Sequence, residues 1–383
     1  MSMELENENN ALKDKIIGNS LSTEKTSDTI IGDNLSDKNT LKAYISKINP
    51  KFFENYDLDE YIGSGSSGYV YKGNYKRNNY KKPVAIKFLI KKKKKESKTD
   101  KNSQLAQEIS IAKKLHHKNV IETYGYYMKE NLNCIVIEYA KYGDMEYFLK
   151  KLLKRKVLSE TLLNYITKQI LEGLKYIHRC KIAHLDIKPT NILLDSNLDV
   201  KITDFSVSCS YANFHPYDLV KFPCVGTRKY MSPEVNTKAQ IKIKENEKFD
   251  LYSLGVTIYY LFYGEYPYNN GQDNTNKEEN SSQKKEKLIF PEKRKMSKLF
   301  KDFLTKILDK DYTKRLNIRE ALNHPWIQGS KYIMGEKENM CCSENFLISL
   351  VTDNIFKFNE YIKEENIAEN LRFSPIFSSL NSI

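Results

Sequence analysis

The sequence contains no hydrophobic run long enough to cross a membrane. Its most apolar stretch, LYSLGVTIYYLFYG at 251–264, is shorter than the roughly 20 residues that a helix needs to span a bilayer. The amino-terminal residues MSMELENENN lack the apolar core of a signal peptide, and Ser2 stands where myristoylation requires glycine. We therefore expect no integral membrane segment, and we interpret 251–264 as a buried helix.

The CxxC motif is also absent. None of the six cysteines belongs to a CxxC pair, and disulfides are rare in reducing compartments. We expect a reduced, intracellular protein that is cytoplasmic. The lysine run at 91–95 makes the nucleus the alternative compartment, although such runs are more often surface loops.

No zinc-finger, zipper or aromatic nucleic-acid motif accompanies the basic charge of the chain. The 383 residues include 62 Lys and Arg against 49 Asp and Glu, which gives a net charge of +13. This charge favours acidic partners such as phosphates. Because the basic residues are scattered, no nucleic-acid partner is expected.

Composition divides the chain into a polar leader, a long structured region with a β-like and a helical part, and a tail. Residues 1–50 are rich in Asn, Ser, Asp and Lys with little periodicity, and we expect a mostly disordered polar leader. Residues 56–139 carry β-like runs and one amphipathic helix, and the pattern becomes helical after them. The polar insertions 91–101 and 269–287 are expected to be solvated loops, and 331–383 is expected to be a partly helical tail.

The predicted elements follow from hydrophobic spacing. Alternating or β-branched runs indicate strands, and apolar residues spaced by three and four indicate helices. The predicted strands are 69–75, 83–90 and 133–139, the predicted helices are 104–115, 158–179, 250–263 and 296–309, and the predicted hairpin is 191–203.

Three glycines in YIGSGSSGYV have the spacing GxGxxG. Glycine lets the backbone approach phosphate oxygens closely and offers its N–H groups without side-chain obstruction. The spacing alone is a weak signal, because dinucleotide sites show it too, but those sites continue into a helix. Here Gly63, Gly65 and Gly68 are followed by the strand-like run YVYKGNY. A hairpin over a nucleotide is therefore the preferred interpretation.

A lysine, Lys87, ends the apolar run VAIK seventeen residues after Val70. The plain interpretation is a strand-end lysine whose stem lies along the sheet while its ammonium reaches water. The functional interpretation is an ammonium that binds the α- and β-phosphates of a nucleotide. Such an ammonium needs an anionic partner, and Glu108 lies in the middle of the amphipathic helix that follows.

The stretch HLDIKPTNILL, at 184–194, places three polar side chains between apolar ones, where polar groups need a partner or a function. Asp186 would accept or orient the proton of an attacking hydroxyl, Lys188 would neutralise charge on a transferred phosphoryl group, and Asn191 would give an oxygen to Mg²⁺. Asp204, which follows a predicted strand, would bind Mg²⁺ that bridges phosphates. Such a site would act by positioning and electrostatics.

Together and in this order, these motifs resemble the eukaryotic protein kinase family, serine/threonine type. The resemblance covers about Tyr56 to Trp326 and includes three further motifs, SPE at 232–234, DLYSLG at 250–255 and KRLNIREALNHPW at 314–326. HLDIKP is also found among calcium/calmodulin-dependent kinases, which makes that group the expected subgroup.

The resemblance implies an α+β, two-lobed kinase fold. A small β-rich N-lobe with one key helix would cover 56–139, and a larger helical C-lobe would cover 140–326. The family uses ATP and Mg²⁺, with Mn²⁺ as an alternative ion, and transfers the γ-phosphate to Ser or Thr hydroxyls of protein substrates. Adenine would contact the hinge Glu138–Ala140, in front of Ile137.

The resemblance also assigns the site residues. The catalytic residues would be Asp186, Lys188 and Asn191, and the metal ligands would be Asn191 and Asp204. The nucleotide-binding residues would be Ile62, Gly63, Ser64, Gly65, Gly68, Val70, Ala85, Lys87, Glu108, Glu138, Ala140 and Asp204.

Residues outside the reacting centre are expected to have supporting roles. Lys188 and the run GTRKYMSPE fit serine/threonine kinases, with Thr227 placed to reach both Asp186 and Lys188. The implied structural charges are the pair Glu234 and Arg315, and Asp250 as the anchor of the loop 184–191. Thr190 stands where arginine-directed relatives tend to carry an acid, so a strong preference for basic peptides is not expected, although Asp144 could still meet a basic side chain.

Two positions depart from the family pattern. Leu185 replaces the arginine of HRD, and Pro223 lies in the activation segment (206–234) about where a phosphoacceptor would be. From these two residues we predict that activity needs no phosphorylation of that segment. Ser206 replaces the glycine of DFG, and we expect a biased conformational equilibrium with the chemistry kept. Candidate modified residues are Ser208, Ser210, Tyr211 and Tyr217.

The alternative function is a pseudokinase or scaffold that binds nucleotide and partner proteins without efficient phosphoryl transfer. Its usual sign is loss of the strand lysine, the catalytic aspartate or the metal-binding aspartate. All three residues are present, as Lys87, Asp186 and Asp204.

Overall fold

The computed structural model divides into two compact units. The described residues are 38–48, 51–65, 68–77, 80–89, 106–129, 132–153, 157–268 and 288–328. The smaller unit comprises the described residues up to His116 together with Ile121–Ala140, and the larger comprises His117–Val120 and those from Lys141 onward. The predicted loops and tail lie outside the described residues, at 91–101, 269–287 and 331–383.

The smaller unit is built on a five-stranded antiparallel sheet with the strand order β1-β2-β3-β5-β4. Its strands are β1 Tyr56–Gly65, β2 Gly68–Arg77, β3 Tyr80–Leu89, β4 Thr123–Lys129 and β5 Leu132–Glu138, and its helices are α1 Lys38–Ile48, α2 Phe52–Asn55 and α3 at 106–112. The three predicted strands coincide with β2, β3 and β5, and the helix predicted over 104–115 contains α3.

The two faces of this sheet differ in chemistry. Successive side chains of a strand point to opposite faces, and residues paired directly across a ladder share a face. Tyr71 pairs with Ile86, and Ile86 pairs with Val136. All three are buried in one core with side chains of α1 and α2. Lys87 and its ladder partner Val70 therefore lie on the opposite face.

Helix α1 corrects the expectation of a mostly disordered leader at the end of that segment. Leu41 and Ile45, one helical turn apart, are 1% and 0% exposed and pack in the same core as Phe52. A surface helix needs only one apolar stripe to pack against a core, so the polar composition concealed this element. Residues 1–37 lie outside the described part of the chain.

The larger unit is mainly helical and contains three short two-stranded sheets, β6 with β9, β7 with β8 and β10 with β11. Its helices are α4 Met145–Tyr147, α5 Glu160–Arg179, α6 Pro233–Asn236, α7 Glu247–Tyr263, α8 Lys298–Ile307, α9 Ile318–Asn323 and α10 Pro325–Gln328. Its strands are β6 Ile182–Ala183, β7 Ile192–Leu194, β8 Val200–Ile202, β9 Cys209–Ser210, β10 Leu219–Lys221 and β11 Gln240–Lys242. The predicted hairpin and the later predicted helices are confirmed by β7–β8, α5, α7 and α8.

Side-chain caps and burial explain where these helices begin and how they pack. Helices α5 and α8 follow Ser159 and Ser297, whose hydroxyls accept hydrogen bonds from first-turn N–H groups, and Asn317 with Glu320 forms a capping box at α9. Helix α7 is buried along nearly its whole length, as predicted for 251–264. In the described part of the chain, no helix is long and apolar enough to cross a membrane.

Candidate active site

The glycine motif lies where β1 turns into β2, and a strand follows it, as the nucleotide-hairpin interpretation requires. Gly65 pairs with Gly68, and Gly63 pairs with Val70. Gly68 has a φ of +155°, and a Cβ there would lie 1.9 Å from the carbonyl oxygen of Phe88. At Gly63 a Cβ would meet nothing within 4 Å. A side chain at position 68 would therefore collide with the backbone of β3, whereas Gly63 leaves open space beside the backbone.

Two residues of the predicted nucleotide pocket, Ala85 and Ile137, lie on the face of the sheet that carries Lys87. Ala85, two residues before Lys87 in β3, pairs directly with Ile137 of β5. Ala140 is buried. The N–H of Glu138 donates to the carbonyl oxygen of Glu122 at 2.9 Å, so this amide is already used within the unit. The predicted nucleotide-binding residues Ile62 and Ser64 are exposed.

Lys87 and Glu108 form the ion pair that the sequence predicted. The ammonium Nζ lies 3.2 Å from Glu108 Oε1, and the two side chains are 14% and 9% exposed. This burial fits poorly with a strand-end lysine that reaches water. Helix α3 therefore supplies the carboxylate that directs the Lys87 ammonium on this face of the sheet.

Three donors hold the carboxylate of Asp186 in the larger unit. Lys188 Nζ donates to Oδ2 at 2.6 Å, and Asn191 Nδ2 donates to the same oxygen at 3.0 Å. The backbone N–H of Thr227 donates to Oδ1 at 2.8 Å, and Lys188 Nζ also donates to the Thr227 hydroxyl at 2.7 Å. The structure thus brings the predicted catalytic residues together, and these charge-assisted bonds fix the direction of the Asp186 lone pairs.

Thr227 can approach Asp186 because a glycine precedes it. Gly226 has a φ of +96°, and a Cβ there would lie 2.5 Å from the carbonyl oxygen of Leu185. Any larger residue would therefore push the segment away from the loop and would also be strained in this backbone conformation. The sequence gave no sign that Gly226 lies against the carbonyl oxygen of Leu185, because these two residues lie far apart along the chain.

Asn191 and Asp204 are the residues predicted to hold Mg²⁺. The carbonyl oxygen of Asn191 accepts from the N–H of Thr203 at 3.0 Å, which places Asn191 beside the strand end that leads to Asp204. Asp204 has a φ of +65°, a conformation that is uncommon for non-glycine residues but is adopted more often by aspartate than by most of them. An amide oxygen and a carboxylate suit Mg²⁺, which takes its other ligands from phosphate and water.

Among the residues that the structure describes, there is no second site at which protein side chains alone could bind a metal ion. No group of three or more His, Cys, Asp or Glu side chains there could hold an ion. Mg²⁺ commonly binds through one or two protein ligands together with substrate phosphates. The donor set of Asn191 and Asp204 therefore fits an ion that arrives with a nucleotide.

Asp250 of α7 anchors the loop 184–191, as the resemblance implied. Its Oδ1 accepts from the N–H of Leu185 at 2.8 Å, and its Oδ2 accepts from the N–H of His184 at 2.9 Å and lies 2.8 Å from His178 Nε2. Burial acts to raise the pKa of Asp250, but the hydrogen bond and charge of His178, together with the hydrogen bond from the backbone N–H of His184, outweigh it and lower the pKa. The ionised carboxylate can therefore hold Leu185 at its φ of +66°.

The imidazole of His184 connects the two parts of the polar site. Its Nδ1 accepts from the N–H of Asp186 at 3.2 Å, so Nε2 carries the hydrogen that is donated to the carbonyl oxygen of Thr203 at 3.0 Å. The ring also meets the ring of Phe205 edge-on, with 5.1 Å between centroids. One side chain thus contacts both the loop of Asp186 and the residues on either side of Asp204.

Two candidate modified residues have structural roles instead. Ser208 is buried and its hydroxyl donates to the carbonyl oxygen of His184 at 3.0 Å, while the Tyr211 hydroxyl donates to that of His178 at 2.9 Å. Both hydroxyls brace the backbone that carries the site. Tyr217 is exposed and is compatible with modification. Local spacing could not reveal these bonds, because their partners are distant in sequence.

Leu185 belongs to an apolar cluster that includes residues of the activation segment. The side chains pack together as one buried cluster, in which the ring centroids of Phe222 and Phe249 lie 4.8 Å apart. We call this group the activation-segment cluster, which consists of Ala183, Leu185, Tyr211, Phe222, Val235, Ile241, Ile243 and Phe249. Where the kinase pattern has a cation, this chain therefore has a hydrophobic contact.

The predicted pair of Glu234 and Arg315 is confirmed. Arg315 Nη1 lies 2.6 Å from Glu234 Oε1, and Nη2 lies 3.1 Å from Oε2. Arg315 also donates to the carbonyl oxygens of Lys248 and Asp309. A guanidinium that is satisfied by a two-point pair and by carbonyls is suited to burial, and it fixes the end of the activation segment.

The chain belongs to the protein kinase family. The family described as "Protein kinase domain" matches residues 56–327, a span that contains the ion pair of the smaller unit and the complete polar network of the larger one. The five-stranded antiparallel sheet and the helical unit are those of the α+β, two-lobed kinase fold.

Proteins similar to this chain include serine/threonine kinases. Serine/threonine-protein kinase Aurora-2 of Arabidopsis thaliana is 30% identical over 273 residues, which cover 71% of this chain and 90% of the relative. Death-associated protein kinase 2 of Homo sapiens is 32% identical over 301 residues, which cover 76% of this chain and 77% of the relative. The probable serine/threonine-protein kinase fhkA of Dictyostelium discoideum is 33% identical, over 73% of this chain and 51% of that protein.

Proposed function

We propose that this kinase is catalytically active and transfers the γ-phosphoryl group of ATP to Ser and Thr hydroxyls of protein substrates. The observation that carries the proposal is the Asp186 carboxylate, which is held by Lys188, Asn191 and the backbone of Thr227 at 2.6 to 3.0 Å. A network of this kind is preorganised, so it needs little rearrangement at the moment of reaction.

Asp186 would orient the substrate hydroxyl and take its proton as the oxygen attacks. Its Oδ1 and Oδ2 are both fixed by donors, so the carboxylate presents its remaining lone pairs in a defined direction. Lys188, at 2.6 Å from Asp186, would place its positive charge beside the transferred phosphoryl group. Phosphoryl transfer depends largely on such positioning and charge neutralisation.

Lys87 and the glycine motif are the proposed nucleotide contacts of the smaller unit, and Asn191 and Asp204 are the proposed Mg²⁺ ligands of the larger unit. Lys87, directed by Glu108, would contact the α- and β-phosphates, and Gly63 leaves room for a close backbone approach. Asn191 and Asp204 would hold Mg²⁺, which when bound neutralises charge on the β- and γ-phosphates. The calcium/calmodulin-dependent subgroup and an intracellular location remain predictions that these residues do not test.

Ser206 is compatible with this proposal. Among the described non-glycine residues, those with positive φ are Lys181, Leu185, Leu198, Asp204 and Lys238, so Ser206 has an ordinary negative φ. Serine therefore causes no backbone strain in this conformation. Its Cβ would limit other conformations of the backbone, which supports a biased equilibrium with the chemistry kept.

Purified protein with radiolabelled ATP, Mg²⁺ and a mixed protein substrate tests the proposal. The variant Asp186→Asn keeps the size of the side chain but removes its basicity, and we expect its rate to fall by about 100-fold or more. Asp311→Asn makes the same chemical change at an exposed position and should leave the rate unchanged. Equal labelling by wild type and Asp186→Asn would instead support a pseudokinase or scaffold.

A further inference from the structure

The two-stranded sheet β10–β11 presents an outer face of mixed apolar and basic character. Val220 pairs with Ile241, and Ile241 belongs to the activation-segment cluster, so this pair faces inward. Residues on either side of a strand position point to the opposite face. The outer face is therefore formed by four exposed side chains, those of Leu219, Lys221, Gln240 and Lys242.

The aromatic side chain of Tyr217 extends this face, and Phe214 is a further exposed aromatic residue of the activation segment. Phe214, Tyr217 and Leu219 are 46%, 60% and 57% exposed, among the large apolar residues that most contact solvent. Lys244 Nζ lies 4.9 Å from the Tyr217 ring centroid, and the N–H of Lys244 donates to the carbonyl oxygen of Pro216 at 2.9 Å. We call this surface the ribbon patch, which consists of Tyr217, Leu219, Lys221, Lys242 and Lys244.

The charge of the ribbon patch is positive. The nearby Asp218 carboxylate accepts from the N–H of His215 at 2.7 Å and is thereby used in the local turn. Glu245 lies 4.0 Å from Lys244 but only 2.9 Å from Lys248, which it pairs with more closely. Three lysines surround exposed apolar groups, and such a combination complements a segment that is both acidic and hydrophobic.

We propose that the ribbon patch is a docking site for an acidic, hydrophobic segment of the protein substrate. The proposal rests on the proposed kinase function. A second copy of this chain is a poor occupant, because its net charge of +13 would oppose contact with a basic surface. The exposed Leu219 and Tyr217 offer apolar anchors that a small anion would not use.

The position of the ribbon patch suits substrate docking. Leu219 is eight residues before Thr227, whose N–H contacts Asp186. Eight residues of fully extended chain span at most about 29 Å, so Leu219 lies within that distance of Thr227. A substrate segment bound there would raise the effective concentration of a nearby Ser or Thr at the catalytic loop.

Selection of random 12-residue peptides displayed on phage tests the proposal by binding alone. The bait is the full chain carrying Asp186→Asn, so the outcome does not depend on phosphoryl transfer. We expect enrichment of Asp and Glu together with Leu, Ile or Phe. Peptides synthesised from the enriched sequences should lose about tenfold or more in affinity on a bait that also carries Lys221→Glu, Lys242→Glu and Lys244→Glu.

Matched variants distinguish an effect of the ribbon patch on peptide binding from an effect of overall basic charge and from loss of folding. Lys298→Glu, Lys301→Glu and Lys310→Glu make the same charge change elsewhere on the larger unit and should leave peptide affinity unchanged. Tyr217→Ser with Leu219→Ser should weaken it without altering the charge. Circular dichroism melting should show that each bait is folded.

Several results would overturn the docking proposal. One is that the selection enriches no peptides or enriches basic ones. Another is that the control variants lose as much peptide affinity as the patch variants. A third is that phosphatidylserine vesicles or single-stranded DNA bind the patch more tightly than the peptides do. If the wild type transfers phosphate but the peptides do not bind the patch, only the docking inference fails. If the peptides bind the patch but the wild type transfers nothing, the patch is retained and the proposed function fails.

Discussion

Single residues of the larger unit differ in how much their charges contribute to stability. The Arg315–Glu234 pair is buried, with side chains 0% and 5% exposed. Removing one partner of such a pair leaves the other charge buried and unpaired. We expect Arg315→Ala to lower the free energy of unfolding by about 3–5 kcal/mol, as measured by urea denaturation followed by circular dichroism.

An exposed pair in the same unit provides the control. Lys306 and Asp302 lie one helical turn apart in α8, and both side chains are 48% exposed. We expect Lys306→Ala to cost less than about 1 kcal/mol, because water already solvates both charges. Equal losses for Arg315→Ala and Lys306→Ala would show that burial does not determine the contribution of the pair.

Among the elements, α1 should stabilise the smaller unit although it precedes the residues that match the kinase family. Ile45 is fully buried in the core of the sheet, whereas its neighbour Ser46 is exposed. Truncation of a buried isoleucine leaves a cavity, so we expect Ile45→Ala to cost about 2–5 kcal/mol. Ser46→Ala should change stability by less than about 0.5 kcal/mol. A negligible effect of Ile45→Ala in thermal denaturation would mean that α1 does not contribute to this core.

The activation segment should be held by hydrophobic packing and not by a phosphate. Leu185 lies in the activation-segment cluster with Phe222, so dephosphorylated protein should keep its full kinase activity. Leu185→Arg would bury a charge without a partner and should abolish most activity, whereas Leu185→Met should retain it. The check is a kinase assay with each variant before and after phosphatase treatment.

Phosphorylation mapped by mass spectrometry decides that prediction. If phosphatase abolished the activity of the wild type and the lost phosphates lay within 206–223, the prediction would be wrong. A Leu185→Arg protein with full activity would equally contradict the role of the cluster.

The sequence predicted those elements whose signals are local. The Lys87–Glu108 pair and the polar loop 184–191 could be inferred because strand and helix periodicity place them and family motifs assign them. Helix α1 escaped prediction because only a narrow apolar stripe, Leu41 and Ile45, distinguishes it from a polar leader. The activation-segment cluster escaped because packing brings together residues as distant in sequence as Leu185 and Phe249.

At the scale of the whole molecule, the fold class and family follow from motif order, but catalytic competence does not. The motifs establish which residues are present, and the structure adds how they contact one another within each unit. Asp186 is bonded to three donors, and Lys87 is paired with Glu108. On these contacts we propose that the protein transfers a phosphoryl group to Ser and Thr hydroxyls.

The most direct measurement is a degenerate peptide array in which each peptide contains a single Ser, Thr or Tyr acceptor. Purified wild type and Asp186→Asn protein are incubated with the array, radiolabelled ATP and Mg²⁺. We predict label on Ser and Thr peptides with the wild type and loss of that label with Asp186→Asn. Label on tyrosine peptides alone, or no label above that of Asp186→Asn, would contradict the account.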